Sequence, residues 1–205
     1  MTSAAMTSAI GETDVRSLYR RAQDRFGERV HGVRDDRWTA ATPCTDWDVR
    51  ALVNHVLGEI RWAVPLFAGA TIAEVGDRFD GDLLGDDPQA SITRIAGAAM
   101  AAAREVTDGD VIVHASHGDV STRTFLQRLT IARSLVAHYV ATYLGSTACP
   151  LPEELARPLW EVTAPEADMW RALGFFRDPM PLPEHVSWRD RFLLTAGHLP
   201  HPLGH

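Results

Sequence analysis

Helical periodicity is the feature that most limits what this chain can fold into. Val15, Leu18, Tyr19, Ala22, Phe26, Val30 and Val33 recur at spacings of three and four. That spacing gathers them on one stripe of a helix and does not fit the twofold alternation of a half-buried strand. The first helix is therefore read from just after Glu12 or Thr13 to near Arg34. Thr45, with Asp46 and Asp48 behind it, offers an N-terminal cap for a second helix that runs to about Ala63, before Pro65. A glycine-rich loop over 76–87 leads to Pro88, a first-turn proline, and an alanine-rich third helix to about Val106. A fourth helix spans Ser121 to a stop at Gly145. A fifth starts near Glu153, is interrupted near Pro165 and closes around Gly174.

Extended structure is confined to Val111–His114, bracketed by Asp108-Gly109 and His117-Gly118. After a proline-rich loop from Phe175 to Pro183, a short helix covers Trp188 to Ala196. The expected fold is mainly α, a four-helix bundle with short additional helices and a minor extended segment. It forms a single domain over 1–205, with 1–11 disordered and 198–205 a tail.

Charge and apolar runs narrow the function classes. The net charge is −7, and no arginine cluster is long enough to track a phosphate backbone. Nucleic acid is not an expected partner. The apolar stretches are interrupted by Arg, Asp, Gly or His well short of a membrane span. Two widely separated cysteines, Cys44 and Cys149, and the lack of a signal-like start fit a cytoplasmic protein with reduced thiols. What remains is a monomer or homodimer acting on a small-molecule metabolite.

The segment Trp38-x-x-x-Thr42-Pro43-Cys44-Thr45-Asp46-Trp47-Asp48-Val49-Arg50-x-Leu52-Val53-x-His55-Val56-x-Gly58-Glu59 resembles the N-terminal signature of the actinobacterial mycothiol-dependent maleylpyruvate isomerase family, whose members have DinB-like bundles. Gly81-Asp82-Leu83-Leu84-Gly85-Asp86-Asp87-Pro88, His117-Gly118-Asp119-Val120 and Phe192-Leu193-Leu194-Thr195-Ala196-Gly197 extend the likeness over most of the chain. The resemblance implies a DinB-like four-helix bundle holding a divalent metal, usually zinc, with a low-molecular-weight thiol such as mycothiol as cosubstrate. It also implies metal ligands on the second helix, at His55, and an acidic residue and a histidine four apart on the fourth helix.

On the fourth helix two registers compete. Aligning the relatives' terminal glycine on Gly145 puts Ala132 and Val136 at the ligand positions. Aligning on the histidine gives His138, with Ser134 in the acidic place, and needs a two-residue gap inside a helix. At about 100° per residue, Phe125, Leu129, Ala132, Val136, Tyr139, Val140 and Tyr143 share one stripe. A bundle's metal site faces inward, so the gapless register is favoured and His138 is expected on the outer face beside Gln127 and Ser134.

The candidate site residues follow from this. His55 and Glu59, four apart, form a metal pair, an ordinary surface pair, or a metal ligand with an acid–base group beside it. His138 is a displaced third ligand or a polar residue outside the site. Arg133 lies near the apolar stripe and either snorkels outward or is buried, in which case it needs a carboxylate or an anionic ligand. His114 and His117 line a pocket mouth or are solvated. Cys44 precedes the second helix, where the dipole favours a thiolate, or packs under Trp38 and Trp47.

Trp62, Trp160, Trp170, Phe175, Phe176 and Trp188 pack the core or wall a pocket. Three functions fit: a metal- and thiol-dependent isomerase or transferase with Glu59 and Arg133 as catalytic groups; a metal-independent bundle that binds or isomerises a small acidic or aromatic metabolite, using no cofactor; and a non-catalytic interaction or stability module.

Overall fold

The structure, a computed structural model, describes residues 12–42, 47–106, 108–143 and 151–200. The expectations for 1–11, Cys44, Thr45, Asp46, Gly145, Cys149, Pro150 and the tail's 201–205 lie outside the described residues, as do the side chains of Thr142 and Tyr143. The order of elements is α1 (Glu12–His31), α2 (Val49–Phe67), a one-turn α3 (Ile72–Val75) and α4 (Pro88–Glu105). An antiparallel hairpin of β1 (Ile112–Ala115) and β2 (Gly118–Ser121) follows, then α5 (Thr122–Tyr143), α6 (Glu153–Thr163), α7 (Ala167–Ala172) and α8 (Trp188–Thr195).

The four long helices close a bundle in which α1 packs on α5 and α4, and α2 packs on α4 and α5. This is the mainly α bundle that the periodicity predicts, and it agrees with the DinB-like bundle that the resemblance implies. Its core joins Phe26, Val30, Val53, Val56, Ile60, Ile92, Ile95 and Ala137. The short helix α3 and the partner strand β2 add to what the sequence located, while α6 and α7 are the two parts of the fifth helix expected to break near Pro165.

Helix ends differ from expectation in two places. The carboxylate of Asp48, extended in backbone, accepts from the Ala51 amide at 2.8 Å, so α2 starts at Val49. Pro65 does not stop α2. It falls in the final turn, where a missing N–H removes few bonds, and buried Leu66 carries the helix to Phe67. The loop over 76–87 is pinned to α2: Arg50 Nη2 donates to Asp82 Oδ2 at 2.7 Å, and Asn54 Nδ2 donates to the Gly81 carbonyl at 2.9 Å.

A second layer covers the outer side of α1 and α5. Leu18 and Ala22 of α1 and Ile131 and Leu135 of α5 pack on Leu155, Leu159, Trp170, Phe176, Phe192 and Leu193. This overturns the expected outer face of α5: Ser134 is 0% exposed and His138 1% exposed. The stripe Phe125, Leu129, Ala132, Val136 and Tyr139 is nonetheless correct as the inward face. Stripe analysis assumes solvent opposite the stripe, and here a layer more than ten residues downstream takes that place.

Left-handed glycines end α7 and α8 in the same way. Gly174 (φ 79°) donates to the Arg171 carbonyl and Phe175 to that of Trp170; Gly197 (φ 78°) donates to Leu194 and His198 to Leu193. Each is the paired hydrogen-bond pattern that caps a helix C-terminus. The tail expected from residue 198 is therefore docked at its start, with His198 buried.

Gly197 is the tighter position. A Cβ there would stand 2.5 Å from the Asp178 carbonyl oxygen and 2.7 Å from Arg177 Cβ. Gly197→Ala is expected to cost about 2 kcal/mol or more, from left-handed backbone strain plus this clash, measured by denaturant unfolding. Asp48→Ala should cost about 1 kcal/mol in the same assay through loss of the α2 cap.

Candidate functional site

A cavity of about 690 Å³ opens between α2 and α5 and is closed off by the hairpin and the ends of α7 and α8. Its size suits a small organic ligand. The two long walls come from helical faces. Leu52, His55, Val56, Glu59, Trp62 and Leu66 line it from α2, and Phe125, Arg128, Leu129, Ala132, Val136 and Tyr139 from α5. The two capping glycine turns deliver Phe175 and His198 to it. His117, at the hairpin turn, meets the edge of Phe175 with ring centroids 6.4 Å apart. His114 is drawn away to Asp119, 2.7 Å across the hairpin.

His55 and Glu59 do come together at this wall. His55 Nε2 lies 3.6 Å from Glu59 Oε1, and the imidazole rests against Trp47, 4.6 Å between ring centroids. The other carboxylate oxygen, Oε2, accepts from Arg133 Nη1 at 2.9 Å. Arg133 is 0% exposed, so it neither snorkels outward nor walls the cavity. Of the two readings of Arg133, burial with a carboxylate is the one that holds. Burial pushes the Glu59 carboxyl up, but the facing His55 and the Arg133 charge outweigh this and hold it at about 2. A carboxylate so firmly ionised is a weak proton acceptor. Its task is to neutralise Arg133 and orient His55.

Among the described residues the donors expected for a metal do not converge. His138, expected as a third ligand, lies outside the cavity and its Nε2 reaches the Leu199 carbonyl at 3.2 Å. Facing His55 and Glu59 from α5 are Ala132 and Val136, which carry no donor. The Arg133 guanidinium bound to Glu59 adds a positive charge that opposes a divalent cation there. Among the described residues no group of three or more His, Cys, Asp or Glu side chains converges as a ligand set.

Two functional residues escaped the sequence reading. Arg128 lines the cavity at 6% exposure, its Nε has no hydrogen-bond partner, and no carboxylate pairs with it among the described residues. Burial lowers its pKa. Its place one turn from Phe125 and Ala132 on the inward stripe was the available signal. His198 had none, because only the fold brings the chain's end to α5. There the Tyr139 hydroxyl and His198 Nδ1 share a hydrogen bond.

Glu59→Gln leaves the buried Arg133 charge without its counter-ion. A loss of about 2 kcal/mol is expected at neutral pH, below the range for a wholly enclosed pair because Glu59 keeps 37% of its side-chain exposure. Since the folded pKa is depressed, this contribution is complete above the ordinary carboxyl range near 4.5 and disappears as pH falls toward about 2. Unfolding curves of wild type and variant should therefore converge across that window.

No helix among the described residues is long and apolar enough to cross a membrane. Searches of curated proteins and of solved structures find no match. The family model described as the mycothiol maleylpyruvate isomerase N-terminal domain matches residues 19–140. That stretch covers most of α1 through most of α5 and takes in both helical walls of the cavity. Phe175, Arg177 and His198 close the cavity from outside it. With more than half of the chain matched, the protein belongs to the mycothiol maleylpyruvate isomerase N-terminal domain family.

Proposed function

We propose that the cavity binds a small organic acid with an apolar body and that this binding needs no resident metal. The carrying observation is Arg128, a residue 6% exposed that lines the cavity among apolar side chains and has no carboxylate partner among the described residues. A buried charge left uncompensated costs several kcal/mol, and an anionic ligand removes that cost. Arg133 answers the same requirement internally through Glu59, so the free electrostatic demand falls on Arg128. Leu129, Val136, Val56 and Trp62 supply apolar surface for the ligand body.

Two other readings are weaker on this geometry. A metal- and thiol-dependent isomerase or transferase is supported by family membership and by the His55–Glu59 pair, against the donor-free Ala132 and Val136 opposite. Mycothiol as cosubstrate rests on the resemblance alone. A non-catalytic module leaves the cleft between α2 and α5 and the polar groups on its walls without a use.

Calorimetric titration of tag-free protein with decanoate and with its methyl ester tests the reading. The acid should bind and the ester should not, and Arg128→Leu should weaken acid binding at least tenfold. Equal binding of acid and ester overturns the proposal. Elemental analysis of the same preparation is expected to find no stoichiometric metal; zinc at one equivalent, lost on His55→Ala, would restore the metal-dependent reading.

A further inference from the structure

The cavity has two chemically different ends. Arg128 and Tyr139 stand on the same face of α5, about three turns or roughly 16 Å apart along the axis at ~1.5 Å per residue. The helix α2 runs antiparallel beside it: Phe67 meets Phe125, with ring centroids 5.4 Å apart, while Glu59 meets Arg133. Trp62 and Leu66 therefore flank the Arg128 end and His55 the Tyr139 end. Between them the α5 wall is Leu129, Ala132 and Val136.

At the Tyr139 end the polar groups carry no buried charge. The Tyr139 hydroxyl hydrogen-bonds His198 Nδ1 and lies 3.4 Å from Nε2, and the rings meet edge to face with centroids 5.3 Å apart. The titratable groups that face His198 are Arg177, exposed at the rim, and His138 and Tyr139 on α5. Burial first, then the charges of Arg177 and His138, push the His198 imidazole down to about 4. The ring is neutral near pH 7, so one of its nitrogens carries an N–H and the other accepts. A neutral N–H of this kind donates to a hydroxyl or carbonyl oxygen and lacks the charge that would single out a second carboxylate.

We propose that the cavity takes an elongated organic acid lengthwise, with its carboxylate at Arg128 and a neutral hydroxyl or carbonyl oxygen at the Tyr139–His198 pair. This rests on the carboxylate reading above and adds the ligand's length and the chemistry of its far end. The apolar middle of the α5 wall matches an alkyl or aryl spacer, and the volume of about 690 Å³ leaves room for it.

The test compares plain alkanoates with their terminally hydroxylated counterparts by calorimetry on the full chain, over chains of roughly six to fourteen carbons chosen to bracket the ~16 Å span. The readout is the ratio of the two affinities in the same protein, which cancels any general loss of binding in a variant. In wild type the hydroxyl should strengthen binding roughly tenfold at the length that bridges both ends, and not at the shortest lengths. His198→Leu should return the ratio to one, and Tyr139→Phe, which frees the ring, should reduce it.

A wild-type ratio of one at every length overturns the proposal, as does a ratio unchanged in His198→Leu. Should His198→Leu fail to fold, an unchanged ratio in Tyr139→Phe overturns it instead. Loss of all alkanoate binding, or equal binding by Arg128→Leu, removes the carboxylate reading and this proposal together, a result distinct from loss of the hydroxyl effect alone.

Discussion

Burial of α5 on all sides is the constraint from which the other features follow. One side faces α2 and the cavity, another packs on α1, and the outer side is covered by the layer of α6, α7 and α8. A helix in that position has no solvent to receive its polar side chains, so each must find a partner or a use. Arg133 finds Glu59 across the bundle, and His138 finds the Leu199 carbonyl. Arg128 has no carboxylate partner among the described residues, and it lines the cavity with Tyr139.

The Arg133–Glu59 pair also decides what the family's metal-site region can do in this chain. A guanidinium locked against one oxygen of Glu59 leaves His55 the remaining oxygen at 3.6 Å. The three side chains make a charge-balanced network on a wall whose opposite face, Ala132 and Val136, is alkyl. Positive charge already occupies the neighbourhood in which a cation would need to sit. Arg128, on the same helix, has no such counter-ion among the described residues.

Much of the fold was legible because local chemistry and packing agree. The apolar recurrence from Val15 to Val33, the first-turn Pro88 and the glycine stop at Gly174 each specify an element without reference to distant residues. Pro65 and the α2 start were misread because competing local signals lay within a few residues of each other, and the buried Leu66 and the Asp48 cap decided between them. For the site, the α2 signature located His55 and Glu59, and the inward stripe located Ala132 and Val136. Arg128 lies on that stripe but reads as an ordinary helix charge until its burial is known.

The sequence by itself determined the helices and the inward face of α5, with Ala132 and Val136 on it, because periodicity reports which residues share a face. The tertiary structure alone decided what covers the other faces. It buried His138 and Ser134 under α6–α8, joined Arg133 to Glu59, left Arg128 to the cavity and brought His198 to Tyr139. The Arg133–Glu59 and Tyr139–His198 pairings join residues more than fifty positions apart. Helical spacing carries no record of such pairings, since burial and electrostatic partnership exist only once distant surfaces meet.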